Sequence, residues 1–172
     1  MFRVLAFCAL SLAVACTGDT GPLNSDRIEQ RFGSYGVEIL NADPTRRVSS
    51  LFSEEPGGRV CRTYAIVDFH LPVDIRLASE HGEVTAGDSI GQVFRRAGWK
   101  IRKTTEFIAE ENARDVGHDL PALMRVAGDQ PLATHRYRFE VIKGDVRIHY
   151  ATITEVHHPD YLQLTALLAL QN

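Results

Sequence analysis

The chain has 172 residues, 44% of them hydrophobic and 24% charged, and a formal charge of -3 with histidine neutral. That length accommodates one domain, and the balance is that of a folded globular chain rather than a disordered one. Its basic runs (Arg95-Arg96, and Lys100 to Lys103) are diluted by neighbouring Asp and Glu, so the cationic surplus that a nucleic-acid partner requires is missing.

The N-terminus carries a targeting pattern. Arg3 supplies a positive charge, and residues 4–14 form an apolar run of signal-peptide length, too short to span a bilayer. The run ends Ala13-Val14-Ala15, the small residues of a peptidase site, and Cys16 follows. This stretch resembles a bacterial lipobox, with Ala13 where Leu is usual and Leu12 one place early. The resemblance implies that residues 1–15 are removed as a signal peptide and that Cys16 is lipidated, which gives the protein a membrane partner through its N-terminal lipid. A plain secreted product is the other reading. Thr17 stands where Asp marks inner-membrane retention, which favours an outer-membrane anchor facing the periplasm if the source is Gram-negative. Cys61 is then the one thiol left inside the domain, a small buried hydrophobe. If Cys16 is not lipidated, a Cys16–Cys61 bridge becomes an alternative.

Residues 16–24 read as lipidated Cys and tether, and residues 25–172 as a single domain. Asp26 and Glu29 stand at capping-box spacing, and Gly33 can close a short helix carrying Ile28 and Phe32. Strands follow at 35–40 and 46–52, then at 59–69, whose Tyr64-Ala65-Ile66-Val67 centre is apolar on both faces and suits a central strand. After Leu71-Pro72 a weak helical region runs through Ile75, Leu77 and Ala78 and loosens between Gly82 and Gly87. Asp88 or Ser89 caps a clearer helix with Ile90, Val93, Phe94 and Ala97 at i, i+3, i+4 and i+7. A strand at 99–109 puts Ile101, Thr105 and Phe107 on one side. Residues 112–119 read as a loop, and Asp119 caps a helix with Leu120, Leu123, Met124 and Ala127, closed by Gly128. Two long strands joined at Lys143-Gly144-Asp145 come next, and Pro159 opens a last helix over 160–170. The order α-β-β-β-α-α-β-α-β-β-α, with tight turns between strands, implies an α+β fold: a single antiparallel sheet with helices packed mainly on one face.

No motif decides the chemistry. His157, His158 and Asp160 suggest a metal, but adjacent histidines point in different directions and no helical His pair accompanies them, so no metal or cofactor is expected. His135 and His149, on neighbouring strands, join only if they share a face. No nucleophile elbow or phosphate loop is present in the sequence. The constellation that stands out is Arg47, Arg62 and Glu155, charged residues set in strands, where a carboxylate is costly to bury without a cation or a proton-transfer role.

Three stretches resemble the chorismate lyase family, whose fold is shared by effector-binding domains of certain bacterial transcription regulators. They are RRVSSLFSEEPGGRVCRTYAIVDFHLP, AGDSIGQVFR and HRYRFEVIKGDVRIHYATITEV. The helix start departs from the family's Pro-Leu-Gly, and His157-His158 replaces an apolar pair. The resemblance implies that Arg47 holds a substrate carboxylate bidentately and that Glu155 shuttles a proton as pyruvate leaves chorismate. An exported chain is at odds with a cytosolic metabolite. The residues therefore point first to an envelope lipoprotein whose domain binds a small ligand or a partner, with Arg47, Arg62 and Glu155 as the polar groups of its pocket. The alternatives are a lyase-like enzyme on a carboxylated small molecule, with Glu155 catalytic, and a structural envelope-assembly lipoprotein that docks through its last helix or a sheet edge.

Overall fold

A computed structural model describes residues 22–170. The expected signal peptide of residues 1–15 and the expected lipidation site Cys16 lie outside the described residues. Among the described residues, no helix is long and apolar enough to cross a membrane.

Period-two alternation builds two three-stranded meanders. The first is β1 (Gly36–Ala42), β2 (Arg46–Glu55) and β3 (Gly58–Phe69); the second is β4 (Lys100–Asn112), β5 (Pro131–Lys143) and β6 (Val146–His157). Tight turns join β2 to β3 and β5 to β6, where Gly57, Gly58 and Gly144 take positive φ. β3 pairs antiparallel with β6, giving one six-stranded sheet in the order β1-β2-β3-β6-β5-β4. The chain is thus α+β with a single antiparallel sheet, and residues 59–69 are central as their two-sided apolar pattern predicts.

The helices are α1 (Asn24–Phe32), α2 (Ala78–Ala86), α3 (Ile90–Arg96), α4 (Ala113–Val116), α5 (Leu120–Met124) and α6 (Leu164–Ala169). After β3 the chain must cross half the sheet to begin β4 at the far edge, and α2 and α3 make that crossing. Val67, Ile153 and Tyr137 share a cross-strand row and one face. With Phe69, Phe139 and Tyr150 they pack against Leu77, Val84, Val93 and Phe94 in the larger core. Tyr64, Val156 and Thr134 form a row on the opposite face. There Cys61, Leu132 and Val156 meet Ala113, Leu120 and Met124 of α4 and α5 in a second, smaller core. Helices therefore cover both faces, more heavily on the side of α2 and α3.

Several local expectations shift for identifiable reasons. Leu23 and Asn24 are buried, so the folded domain begins inside what reads as tether. The reach-back carboxylate of α1 is Asp26, whose Oδ2 accepts from the Leu23 N–H at 3.0 Å, one turn earlier than the Asp26/Glu29 spacing predicts. α2 continues through Gly82 and stops at Gly87. Residues 113–116 are a helical turn rather than loop. α5 ends at Met124 because Arg125 turns left-handed at φ 54°. The last helix begins only at Leu164, because the His158 carbonyl accepts from Tyr161 and Leu162 in a separate turn. A bulge between Thr105 and Phe107 breaks the alternation of β4 and leaves Phe107 44% exposed.

These placements separate two phenylalanines. Phe94 is fully buried, so Phe94→Ala should cost about 3–5 kcal/mol of unfolding free energy in a urea titration. Phe107→Ala should cost less than about 1 kcal/mol in the same measurement.

Candidate functional site

Small side chains at the middle of the sheet make a hollow. Ser49 pairs with Ala65, Ala65 with Glu155, and Glu155 with His135, so one row crosses four strands on the α1 face. The neighbouring row runs Arg47, Val67, Ile153, Tyr137. Above these rows lies a cavity of about 60 Å³, with floor residues drawn from all six strands. Its roof comes from Leu23, Asn24 and Ser25 at the start of α1, Tyr35 before β1, and Ser89, Ile90 and Gly91 at the start of α3. The lining is mainly aliphatic and aromatic, with Arg47, Lys103 and Glu155 as its charged members.

Arg47 and Glu155 both line this cavity. One strand lies between theirs and they occupy adjacent rows, which puts their backbones roughly 12 Å apart, on opposite walls. Arg62 is not with them. The register slips between Leu51 and Phe52, and Arg62 is the unpaired residue of that bulge. Its guanidinium stacks on Phe32 at 3.8 Å, donates to Ser53 Oγ and pairs with Glu55, away from the cavity.

Arg47 is already engaged. Its Nη1 donates to the Val84 carbonyl at 2.6 Å and the Asp88 carbonyl at 2.8 Å, closing the C-terminal end of α2 where a cation is favoured. Both of these bonds go through Nη1, so one end of the guanidinium is committed to the helix. Nε remains buried without a hydrogen-bond partner. Burial lowers the Arg47 pKa, and the nearby Tyr150 and Tyr35 hydroxyls and Asp88 offset this only in part.

Glu155 is 8% exposed. Burial pushes its pKa up, but Lys103, His157, His135 and Arg27 outweigh that and hold the carboxyl below its ordinary value. It is therefore an anion at neutral pH, with Oε1 accepting from Asn24 Nδ2 at 3.2 Å. Asn24 Nδ2 also donates to Thr63 Oγ1 at 3.2 Å, and Tyr161 Oη donates to Asn24 Oδ1. Thr63 Oγ1 lies 3.1 Å from His157 Nδ1. Giving the Thr63 proton to that nitrogen leaves the ring proton on Nε2, which stands 3.9 Å from Glu155 Oε2. Burial depresses both His157 and His135 to about 4.

The remaining histidines do not converge. His158 Nε2 donates to the Met124 carbonyl at 3.0 Å, on the opposite side from His157. His149 stacks on His70 with ring centroids 4.7 Å apart and does not meet His135. No group of His, Cys, Asp and Glu among the described residues could hold a metal ion. Burial raises the Cys61 thiol to about 12, leaving it protonated and inert.

Sequence reasoning missed Lys103 and Asn24. Lys103 shares its strand face with the buried Ile101, and a cation on an apolar face opposite a strand carboxylate is the signal that could have found it. Asn24 falls in apparent tether, and only burial reveals it. Comparison of the chain with protein-family models and with curated proteins finds no match.

The two neutral histidines and the ionised carboxylate give the fold an acid-sensitive side. An unfolded chain protonates both histidines below about 6.5, while the folded chain refuses those protons until about 4. Their stabilising contribution is complete above about pH 6.5 and falls as the pH drops. Glu155, with its depressed pKa, contributes above its ordinary value and loses that contribution in the same direction. Near pH 5 the unfolding free energy should change by about 1.4 kcal/mol per pH unit for each such proton. Chemical denaturation of His157→Gln across pH 4–7 should show a slope smaller by about one proton.

Proposed function

We propose that this chain is an envelope lipoprotein whose domain binds a small ligand in the cavity between its sheet and the starts of α1 and α3. The leader, with its Ala-Val-Ala-Cys end, supports delivery to the envelope and anchoring through Cys16. The observation that carries the binding reading is the cavity itself, which has an aliphatic body and charged groups on opposite walls. Arg47 Nε and its positive charge suit an acceptor-bearing, anionic end of the ligand. The apolar floor suits a hydrocarbon body.

The chorismate lyase-like fold and a lyase-like activity on a carboxylated small molecule form the second reading. It is favoured by the convergence of Arg47 and Glu155 on one cavity. Two features favour binding without turnover. Glu155 is held below its ordinary value beside the cations Lys103 and Arg27 rather than poised near neutrality as a proton carrier, and Arg47 Nη1 is tied to α2.

A panel of small carboxylates that includes chorismate separates these readings. Under the binding proposal at least one member raises the melting temperature by about 5–10 °C at a hundredfold excess over its dissociation constant, with no pyruvate released. Ala65→Leu, which fills the floor beside Glu155, should abolish that shift in a folded protein. Pyruvate release lost in Glu155→Gln would instead establish the enzyme. A panel with neither shift nor turnover refutes both.

The anchor has its own test. Cys16→Ser should remove globomycin-sensitive processing and release the protein from the membrane fraction. Processing unchanged by the substitution means an ordinary secreted product.

A further inference from the structure

As it stands, the cavity is too small for the ligand it is suited to. Its volume of about 60 Å³ is far below the roughly 300–1,000 Å³ of pockets that hold whole organic ligands. The floor is a hydrogen-bonded sheet and cannot yield, so entry depends on the roof.

The three roof segments are fastened differently. Ser89, Ile90 and Gly91 lead directly into Val93 and Phe94, which are rooted in the larger core. Tyr35 runs straight into β1, which is paired along its length with β2. The first turn of α1 shares the larger core through Leu23 alone and is otherwise held by polar contacts. Its buried residues Asn24 and Ser25 are polar, and Leu23 is its one apolar plug. Leu23 sits in a notch made by the missing side chain of Gly91, where an added Cβ would lie 2.8 Å from Leu23 Cδ2. The turn is fastened by Asn24, which reaches Glu155, Thr63 and Tyr161, with Asp26–Arg95 as an exposed ion pair at 3.2 Å. Water can replace each of these polar bonds, so this turn separates from the sheet more readily than an apolar contact would.

We infer that the first turn of α1 is the gate of the cavity, with Asn24 as its latch and Leu23 as its plug. Opening exposes the wall at Glu155 and the notch at Gly91 together, which enlarges the cavity without disturbing the sheet. Asn24 bonds the carboxylate on the cavity wall, so a ligand that engages Glu155 competes with the latch and holds the gate open. The chain preceding α1 enters at this turn, so gate opening moves the point at which any N-terminal tether joins the domain.

This inference builds on the ligand-binding reading, but its test needs no ligand. Ser49→Cys places a thiol on the cavity floor at a residue 2% exposed, with little change in shape. Alkylation of this floor thiol by iodoacetamide at pH 8, followed by peptide mass spectrometry, reports how often the roof opens. Cys61, with its raised pKa and its place in the other core, reports global unfolding. In the full chain carrying Ser49→Cys, adding Asn24→Ala should raise the alkylation rate of the floor thiol at least tenfold with Cys61 unchanged. Gly91→Ala, which pushes Leu23 out of its notch without touching the latch, should do the same. Unchanged floor-thiol rates in both variants, or the floor thiol and Cys61 rising in step, would overturn the gate. Either result leaves the carboxylate-binding assay to stand or fall by itself.

Discussion

A carboxylate in the middle of a sheet is the constraint around which this domain is arranged. An ionised Glu155 cannot be taken out of water without compensation, and a single surface-type ion pair would not supply it. The fold surrounds it with Lys103 from the far-edge strand, Arg27 from the first helix, a neutral histidine on each side and the Asn24 amide. These come from α1, β4, β5 and β6. Their convergence ties the first helix, both meanders and the segment after β6 into one polar cluster, beside a core that is otherwise apolar.

The pairing of β3 with β6 makes that convergence possible. It fuses two meanders that would each be too narrow to cover a helix, and it sets Ala65 against Glu155 in register. Small residues at Ser49 and Ala65 then leave a hollow that Tyr137, Phe139 and Ile153 border but do not fill. Arg47 is drawn to the same hollow for a different reason, since its charge closes the exposed carbonyl end of α2. The two walls thus carry side chains of opposite charge that line one cavity without meeting. Close packing elsewhere, around Phe94 and Tyr150, shows that the fold fills space where it is free to do so.

Much of the scaffold was legible in the residues. Alternation marked the strands of the closing hairpin, and the two-sided apolar centre of 59–69 marked β3's central position. The i, i+3, i+4, i+7 pattern from Ile90 and the glycine at 33 located two helices. Arg47 and Glu155 could be singled out because charges in strands are expensive. Arg62 met the same criterion and was misplaced, because a one-residue bulge is invisible in sequence yet swings a side chain to a different environment. The bulge in β4 displaced Phe107 in the same way.

What the sequence determined alone is therefore local: element types, turn positions and the leader pattern, all set by spacing and by the intrinsic preferences of Gly, Pro and alternating side chains. Tertiary structure decided the pairing of the two meanders, the hollow above Ala65, the company Glu155 keeps and the burial of Asn24. Those depend on residues such as Asn24 and Glu155, 131 positions apart, being brought within hydrogen-bonding distance. No local preference encodes that encounter. It follows from the whole sheet closing at once, with every strand's register fixed by its neighbours.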